Sequence, residues 1–280
     1  SARSAAGADG LGMLASRSRG AGLEFAQYRG YEPGDEPRRI DWKLYARSDR
    51  YFVREAERDS PLTLWIVIDA SASMGFADRA RADFSKLDAA KLLAACAIEL
   101  ALRQGDRFGL IALSAGSVRF APDAAGARQR DRCLLELDQL ASTGLLPDTV
   151  KLRPLLERVR PGSLVLFLSD GFDNDLTGLA LQLAAARRDV LSIQLLGADE
   201  RDFRFKGGHR FRDPETGAEL RVDGAAARAD FIERFAAARA DLARRFAAAG
   251  IVHVEHVLDR PLDEPLRRLF GATQRVSERR

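Results

Sequence analysis

The 280-residue sequence has little cysteine and no long hydrophobic run. Its two cysteines, Cys96 and Cys133, are too few for a secreted disulfide framework, and we expect both to be reduced thiols buried in helices. No apolar run approaches the roughly 20 residues that span a membrane. The first residues also lack the apolar segment of a signal peptide. We therefore expect a cytoplasmic protein without a membrane span.

A block of one charge sign is also lacking. Lysine and arginine together number 44, aspartate and glutamate 41, and the net charge is +3. Arginine and acidic residues interleave along the chain, whereas a nucleic-acid-binding protein usually has a basic stripe or block. The sequence therefore argues against nucleic acid as a partner. With 46% hydrophobic residues, the chain is able to bury a large core.

Three segments differ in texture. Residues 1–20 are small and polar or basic without periodicity, which predicts a flexible arm. Residues 21–60 carry seven aromatic residues among charges, which predicts a β-rich extension packed on the rest of the chain, with Trp42 buried. In residues 61–280 strands alternate with helices, which predicts an α/β domain with a parallel sheet flanked by helices. Residues 199–224 interrupt this rhythm as a β-hairpin insertion, which we expect to pair with the extension.

Two predicted strands end in an acidic residue. The apolar run after Leu62 ends at Asp69 and continues into Ser71 and Ser73, and a second apolar run ends at Asp170. The carboxyl ends of parallel strands meet at one edge of a sheet, where ligands bind. Carboxylate and hydroxyl oxygens are hard ligands that suit Mg²⁺ or Ca²⁺. The competing interpretation of the first motif is a capped turn, in which the side chains bond backbone amides.

Two threonines compete to complete such a site. Thr149 follows an acidic residue and a turn-forming proline and opens a helical pattern, so we predict Thr149 as the last ligand. Thr143, in the preceding loop, is the alternative. His253 and His256 form a weaker candidate, because residues three apart on a strand face opposite sides and cannot share a metal.

The ligand set resembles the metal-ion-dependent adhesion site of von Willebrand factor type A domains, although such domains commonly have Gly-Gly-Thr where this chain has Pro-Asp-Thr. The upstream segment YRGYEPGDEPRRIDWKLYARSDRYFVREAE and the later RFRDPETGAELRV are similar to the bacterial family called domain of unknown function 58. The resemblance implies a type A-like fold and a partnership with a MoxR-type AAA+ ATPase. It also implies a metal site formed by Asp69, Ser71, Ser73, Thr149 and Asp170.

From these features we predict a metal-dependent protein-binding module rather than an enzyme. Mg²⁺ is the expected ion, with Mn²⁺ or Ca²⁺ as alternatives, and its open coordination position would accept a Glu or Asp side chain of a partner. The alternative is a Mg²⁺-dependent hydrolase or phosphatase that uses Asp69 as nucleophile. Phosphatases of the haloacid dehalogenase type have Asp-x-Asp at this point, whereas position 71 is Ser here, so the general acid is missing.

Overall fold

A computed structural model of the chain describes residues 25–30, 42–56, 61–205 and 207–269. The arm predicted for residues 1–20 lies outside the described residues. The chain divides into two compact units whose boundary falls between Pro61 and Leu62. No described helix is long and apolar enough to cross a membrane.

The smaller unit contains an antiparallel strand pair and a helix. Strand β1 (Phe25–Gly30) pairs with β2 (Phe52–Ala56), and helix α1 (Trp42–Ser48) lies between them in the chain. The helix is a departure from the predicted strands and turns. Trp42 is 58% exposed, so the prediction of a buried Trp42 is wrong. Its ring lies edge-on to Tyr45 and Tyr51, which stack on each other at 4.5 Å, so these aromatic rings partner one another.

The larger unit is built on a six-stranded sheet. The sheet strands, in chain order, are β3 (Thr63–Asp69), β4 (Arg107–Ser114), β5 (Ser117–Ala124), β6 (Leu164–Ser169), β7 (Asp189–Leu196) and β10 (Val252–Val257). Between β7 and β10 the chain forms a separate hairpin of β8 (Gly208–Arg212) and β9 (Glu219–Asp223). The sheet order is β10-β7-β6-β3-β4-β5, and all neighbours are parallel except β4 and β5. Among the described residues, the hairpin strands β8 and β9 pair with each other. The expected pairing of the insertion with the extension stays a prediction, because much of the extension lies outside the described residues.

Helices connect the strands. They are α2 (Lys86–Gln104), α3 (Ala127–Asp138), α4 (Thr149–Leu152), α5 (Leu155–Arg158), α6 (Asn174–Ala185), α7 (Ala198–Asp202) and α8 (Gly224–Ala248), with a final helical stretch at 264–269. A capping box of Ser85 and Asp88 starts α2, and Gly105, at φ 75°, ends it. The helical pattern that Thr149 opens forms two short helices, because Pro154 lacks the amide that would continue the first one.

Both faces of the sheet are buried under helices. Successive residues of β3 alternate between two clusters: Leu64, Ile66 and Ile68 pack towards α2 and α3, whereas Trp65 and Val67 pack towards α6 and α8. Each such fully buried side chain contributes about 1.5–3 kcal/mol. This two-sided core keeps β3 rigid at the centre of the sheet, and β3 is the strand that carries the candidate site.

The two cysteines differ in environment. Cys133 in α3 is buried, and burial raises the pKa of its thiol to about 11. Cys96 in α2 is exposed, so the prediction of two buried thiols holds for Cys133 only. A thiol with so high a pKa is a poor nucleophile at neutral pH.

Candidate metal centre

The candidate site lies where the chain changes direction across the sheet. From β3 the chain moves to β4 on one side, and β6, on the other side of β3, leads away to β7. In parallel sheets the crevice at such a switch point, beyond the carboxyl ends of the strands, is the usual ligand site. Asp69 ends β3 and Asp170 directly follows β6, and both are buried.

The loop after β3 brings three of the predicted ligands together. The amide and hydroxyl of Ser71 both donate to Asp69 Oδ1, at 2.9 and 2.7 Å. Ser169 Oγ donates to Asp69 Oδ2 at 2.8 Å. The hydroxyl oxygens of Ser71 and Ser73 lie 3.0 Å apart. Asp69 thus accepts the hydrogen bond from a backbone amide that is expected of a capped turn. Its carboxylate also belongs to a cluster of side-chain oxygen atoms.

Among the described residues, the groups that donate hydrogen bonds to Asp69 are all neutral. Burial, together with the negative charge of Asp170, raises the pKa of Asp69 to about 6, although the hydrogen bonds from Ser71 and Ser169 work in the opposite direction. A carboxylate in this position is therefore short of positive charge.

Asp170 has a cation, which the sequence analysis missed. Lys86 Nζ lies 3.1 Å from Asp170 Oδ2 and 3.0 Å from Glu200 Oε1, and the Lys86 side chain is 1% exposed. Burial acts to lower the pKa of Lys86, but the two carboxylates outweigh it and the net shift is upward. Lys86 is the first residue of α2 and Glu200 lies in α7. Nothing in the local pattern of either helix signals this pairing.

Glu215 is a further residue that the sequence analysis missed. It lies at the tip of the β8–β9 hairpin and is half-buried. Burial and the charge of Asp170 raise the pKa of Glu215, against the lowering effect of the hydroxyls of Ser73 and Ser71. The insertion therefore brings a further acidic side chain within electrostatic range of Asp170.

Thr149 lies at the neighbouring loop. Its hydroxyl is exposed and donates to Asp175 Oδ1 at 3.0 Å, and no hydrogen bond described here joins it to the other four predicted ligands. The alternative, Thr143, adjoins the site through its backbone, because its amide donates to Ala70 O at 3.0 Å. The structure thus groups four of the five predicted ligands and leaves Thr149 beside the start of α6.

The hydroxyl groups of the loop hydrogen-bond to one another and to Asp69. The Ser71 hydroxyl donates to Asp69 Oδ1 at 2.7 Å, and Ser71 Oγ can accept the proton of the Ser73 hydroxyl, whose oxygen lies 3.0 Å away. The hydroxyl oxygens keep lone pairs that a hard cation would bind.

Charge also favours a cation, because among the described residues of this cluster the three carboxylates of Asp69, Asp170 and Glu200 face one ammonium group, that of Lys86. No group of three or more His, Cys, Asp or Glu side chains suited to a metal occurs in the described ranges. Hydroxyl oxygens would have to complete any metal site here. The donor set, two strand-end carboxylates with serine hydroxyls, fits Mg²⁺ better than a softer ion.

The histidines of β10 have separate surroundings. His253 Nδ1 lies 3.2 Å from Ser192 Oγ, and its ring packs edge-on against Phe246. The charged groups that act on buried His256 include Glu264 and Arg260 instead. Burial lowers the pKa of both rings. The two histidine side chains therefore lie on opposite sides of β10, as their spacing predicts.

Comparison with known proteins assigns this chain to a family. The family model described as "Protein of unknown function DUF58" matches residues 27–241. The uncharacterized protein Rv1480 of Mycobacterium tuberculosis strain H37Rv is 30% identical over 228 residues, which are 80% of this chain and 69% of that protein.

Two solved structures show more distant similarity. BatB from Bacteroides thetaiotaomicron is 13% identical with a TM-score of 0.46, over 78% of this chain and 99% of that one. The SpRpn10 VWA domain is 12% identical with a TM-score of 0.43, over 75% and 95%. The sheet order described above itself bears out the predicted α/β fold, a mostly parallel sheet flanked by helices. The match to the family model and the identity to Rv1480 establish that the chain belongs to the DUF58 family.

Proposed function

We propose that this chain is a divalent-cation-dependent protein-binding module that works as an adaptor. The observation that carries the proposal is the cluster of serine hydroxyls and buried carboxylates at the carboxyl edge of the sheet, in which Asp69 lies against neutral donors and the charge of Asp170. Asp69, Ser71, Ser73 and Asp170 would hold the ion, and Thr149 from the next loop would complete the set. Mg²⁺ is the preferred ion, with Mn²⁺ or Ca²⁺ as alternatives, and it would supply an open position for an acidic side chain of a partner.

Exposed apolar side chains around the site support a protein partner. Leu145, Val150 and Phe172 are exposed. The loop that carries Leu145 is hydrogen-bonded to the ends of β3 and β4, and Phe172 follows Asp170 by two residues. A partner that offers an acidic residue beside apolar ones would match this surface, because apolar contact adds affinity that a single ion-mediated bond lacks.

The proposed partner is a MoxR-type AAA+ ATPase, or a complex that contains one. This partner is the one that the sequence resemblance to the family implies, and the chain belongs to that family. Location in the cytoplasm stays a prediction from the sequence.

The surroundings of Asp69 argue against the hydrolase alternative. Asp69 is 1% exposed, and its two oxygens accept three hydrogen bonds. A nucleophile has to reach the substrate atom that it attacks. We therefore propose a role other than catalysis, and we expect no phosphatase activity from the purified protein in Mg²⁺.

Ion binding is tested by thermal unfolding with Mg²⁺ or Mn²⁺. An ion that binds only the native state raises the free energy of unfolding by about 2.7 kcal/mol at one hundred times Kd. We expect this rise in the wild type and its loss in Ser73→Ala. Ser48→Ala is the control, since that serine bonds the Leu44 carbonyl in the smaller unit. An equal rise in both variants, or none in the wild type, would remove the ion from the proposal.

Partner binding is tested by capture of the purified ATPase with nucleotide present. If the ion links the two proteins, EDTA and Ser73→Ala should each weaken capture by at least tenfold. Capture that survives both treatments would place the ATPase elsewhere on this chain. No capture by the wild type would remove the ATPase from the proposal and leave the ion site for another protein.

A further inference from the structure

Lys86 bridges two acidic side chains that belong to different segments of the chain. Its Nζ atom lies 3.1 Å from Asp170 Oδ2 and 3.0 Å from Glu200 Oε1. Because the Lys86 side chain is almost completely buried, its ammonium group depends on carboxylate partners rather than on water. With two such partners in contact, the ammonium group keeps one of them if it loses the other.

The two partners differ in burial and in position. The Asp170 side chain is 7% exposed and belongs to the candidate metal centre, whereas the Glu200 side chain is 21% exposed and lies in α7. The proposed function gives Asp170 a second cation to hold, and a single carboxylate cannot neutralise both an ammonium group and a divalent ion. Two cations in contact with one carboxylate also repel each other. Ion binding at Asp170 therefore requires the ammonium group of Lys86 to move away.

Helix α7 is held in place by contacts that do not involve Lys86. The carboxylate of buried Asp78 accepts the first two amides of α7, at 2.9 and 2.8 Å. Glu200 Oε2 accepts the Gly197 amide at 2.7 Å, which leaves Oε1 for the ammonium group. Since both its helix and its carboxylate are anchored, Glu200 is a fixed second partner for Lys86.

The backbone of Lys86 is fixed as well, so only its side chain has to move. Lys86 is the first residue of α2, and its amide donates to Phe76 O at 2.9 Å. A lysine side chain is flexible, and the oxygens of Asp170 and Glu200 both already lie within hydrogen-bond distance of Nζ. A rotation of the end of the side chain is therefore enough to transfer the ammonium group to Glu200 alone.

We propose that Lys86 is a tethered counter-cation that sets the ion affinity of the candidate metal centre. Without an ion, the ammonium group of Lys86 neutralises Asp170. When Asp170 holds an ion, the ammonium group moves to Glu200, which keeps it paired. This inference rests on the proposed ion-dependent function. It adds two residues, Lys86 and Glu200, that determine the affinity although neither is a ligand of the ion.

The test measures the Kd of the full chain for Mn²⁺ by isothermal titration. The variants are Lys86→Met, Glu200→Gln and the double variant that combines them. Each single variant has a matched control from the same helix. Lys91→Met removes an ammonium group that bonds a backbone carbonyl, and Asp199→Asn removes a neighbouring carboxylate that accepts a backbone amide. Cooperative thermal unfolding in EDTA checks that each variant is folded.

We expect Lys86→Met to lower the Kd for Mn²⁺ about tenfold, because Asp170 no longer has a competing cation. Glu200→Gln should raise the Kd about tenfold, because the displaced ammonium group loses its second partner. Both control variants should match the wild type. In the Lys86→Met background, Glu200→Gln should have no effect of its own, since it acts only through the ammonium group.

Three results would overturn the proposal while leaving the ion site in place. One is a wild type that binds Mn²⁺ at least as tightly as Lys86→Met does. Another is an effect of Glu200→Gln that persists in the Lys86→Met background, since it would reflect long-range charge alone. If Lys86→Met does not fold, Glu200→Gln decides, and a Kd equal to that of Asp199→Asn is the third. If the wild type binds no Mn²⁺, the proposed function fails and the counter-cation role fails with it.

Discussion

The loops after β3 and β6 begin with the same pattern, a buried apolar strand followed by an aspartate, but they surround that aspartate differently. Asp69 receives three hydrogen bonds from neutral donors. Asp170 lies against the buried ammonium of Lys86. One carboxylate is therefore held by dipoles and the other by a charge.

This difference shows that a strand-end acid cannot be interpreted from its own loop. The cation beside Asp170 is Lys86, in the first turn of α2, which follows β3 and is far from Asp170 in the sequence. Buried acids with and without such a partner respond differently to pH, to mutation and to metal. The asymmetry suggests a division of roles, in which Asp69 depends on an added cation and Asp170 has its own.

The largest effect expected from this asymmetry is at Lys86. Replacing Lys86 by Met leaves Asp170 buried without its partner, and breaking a buried pair from one side costs about 3–5 kcal/mol. We expect urea unfolding in EDTA to show this loss for Lys86→Met and little change for Lys151→Met, whose ammonium is exposed. The double variant Lys86→Met, Asp170→Asn should recover much of the loss. If Lys86→Met leaves the free energy of unfolding unchanged, the Lys86 charge does not stabilise Asp170, and the two loops do not differ in this respect.

The next largest expected effect is the dependence of the free energy of unfolding on pH that Asp69 causes. Since the folded pKa is raised from 3.8 to about 6, the folded state holds the proton more tightly than the unfolded state does. The stability conferred by protonated Asp69 is present below pH 4 and is lost as the pH rises to about 6, and two pKa units correspond to about 3 kcal/mol. In EDTA the wild type should lose this stability over that range relative to Asp69→Asn. Saturating Mg²⁺ should reduce or abolish the loss, because a bound cation lowers the folded pKa of Asp69 towards its unfolded value. In EDTA, a flat difference between wild type and variant would contradict the assignment.

Much of the fold was predictable because its signals are local. The buried run that ends at Asp69 and the glycine that ends α2 mark their elements within a few residues. The grouping of Asp69 with Asp170 was also predictable, because parallel strands place their carboxyl ends at one edge.

The rest of the site depends on contacts between segments far apart in the chain. Lys86 resembles any polar residue at a helix start, and Glu215 any acid in a turn, so neither carries a local signal. Trp42 was wrongly expected to be buried because aromatic residues in water need partners, and the partners proved to be nearby tyrosines. The sequence pattern predicts helices, strands and the sheet edge at which two strands end. The charged and aromatic partners of a side chain become visible only in the tertiary structure.

The smallest predicted effect separates the two threonines, and it sharpens the comparison because each belongs to a different loop. The Thr149 hydroxyl donates to Asp175, on the β6 side, whereas Thr143 joins the β3 side through its backbone amide. If Thr149 completes the ion site, Thr149→Ala should raise the Kd for Mn²⁺ about tenfold, a typical cost of losing one supporting oxygen.

Thr149→Ser keeps the oxygen and should bind Mn²⁺ as the wild type does. Thr143→Ala leaves the backbone bond to Ala70 in place and should also change nothing. The reverse result, a tenfold loss in Thr143→Ala and none in Thr149→Ala, would move the last ligand to the β3 side. In that case the ion would depend on the Asp69 loop and its hydrogen-bonded neighbour, while the contribution of the β6 side would be limited to Asp170 and the lysine that already balances its charge.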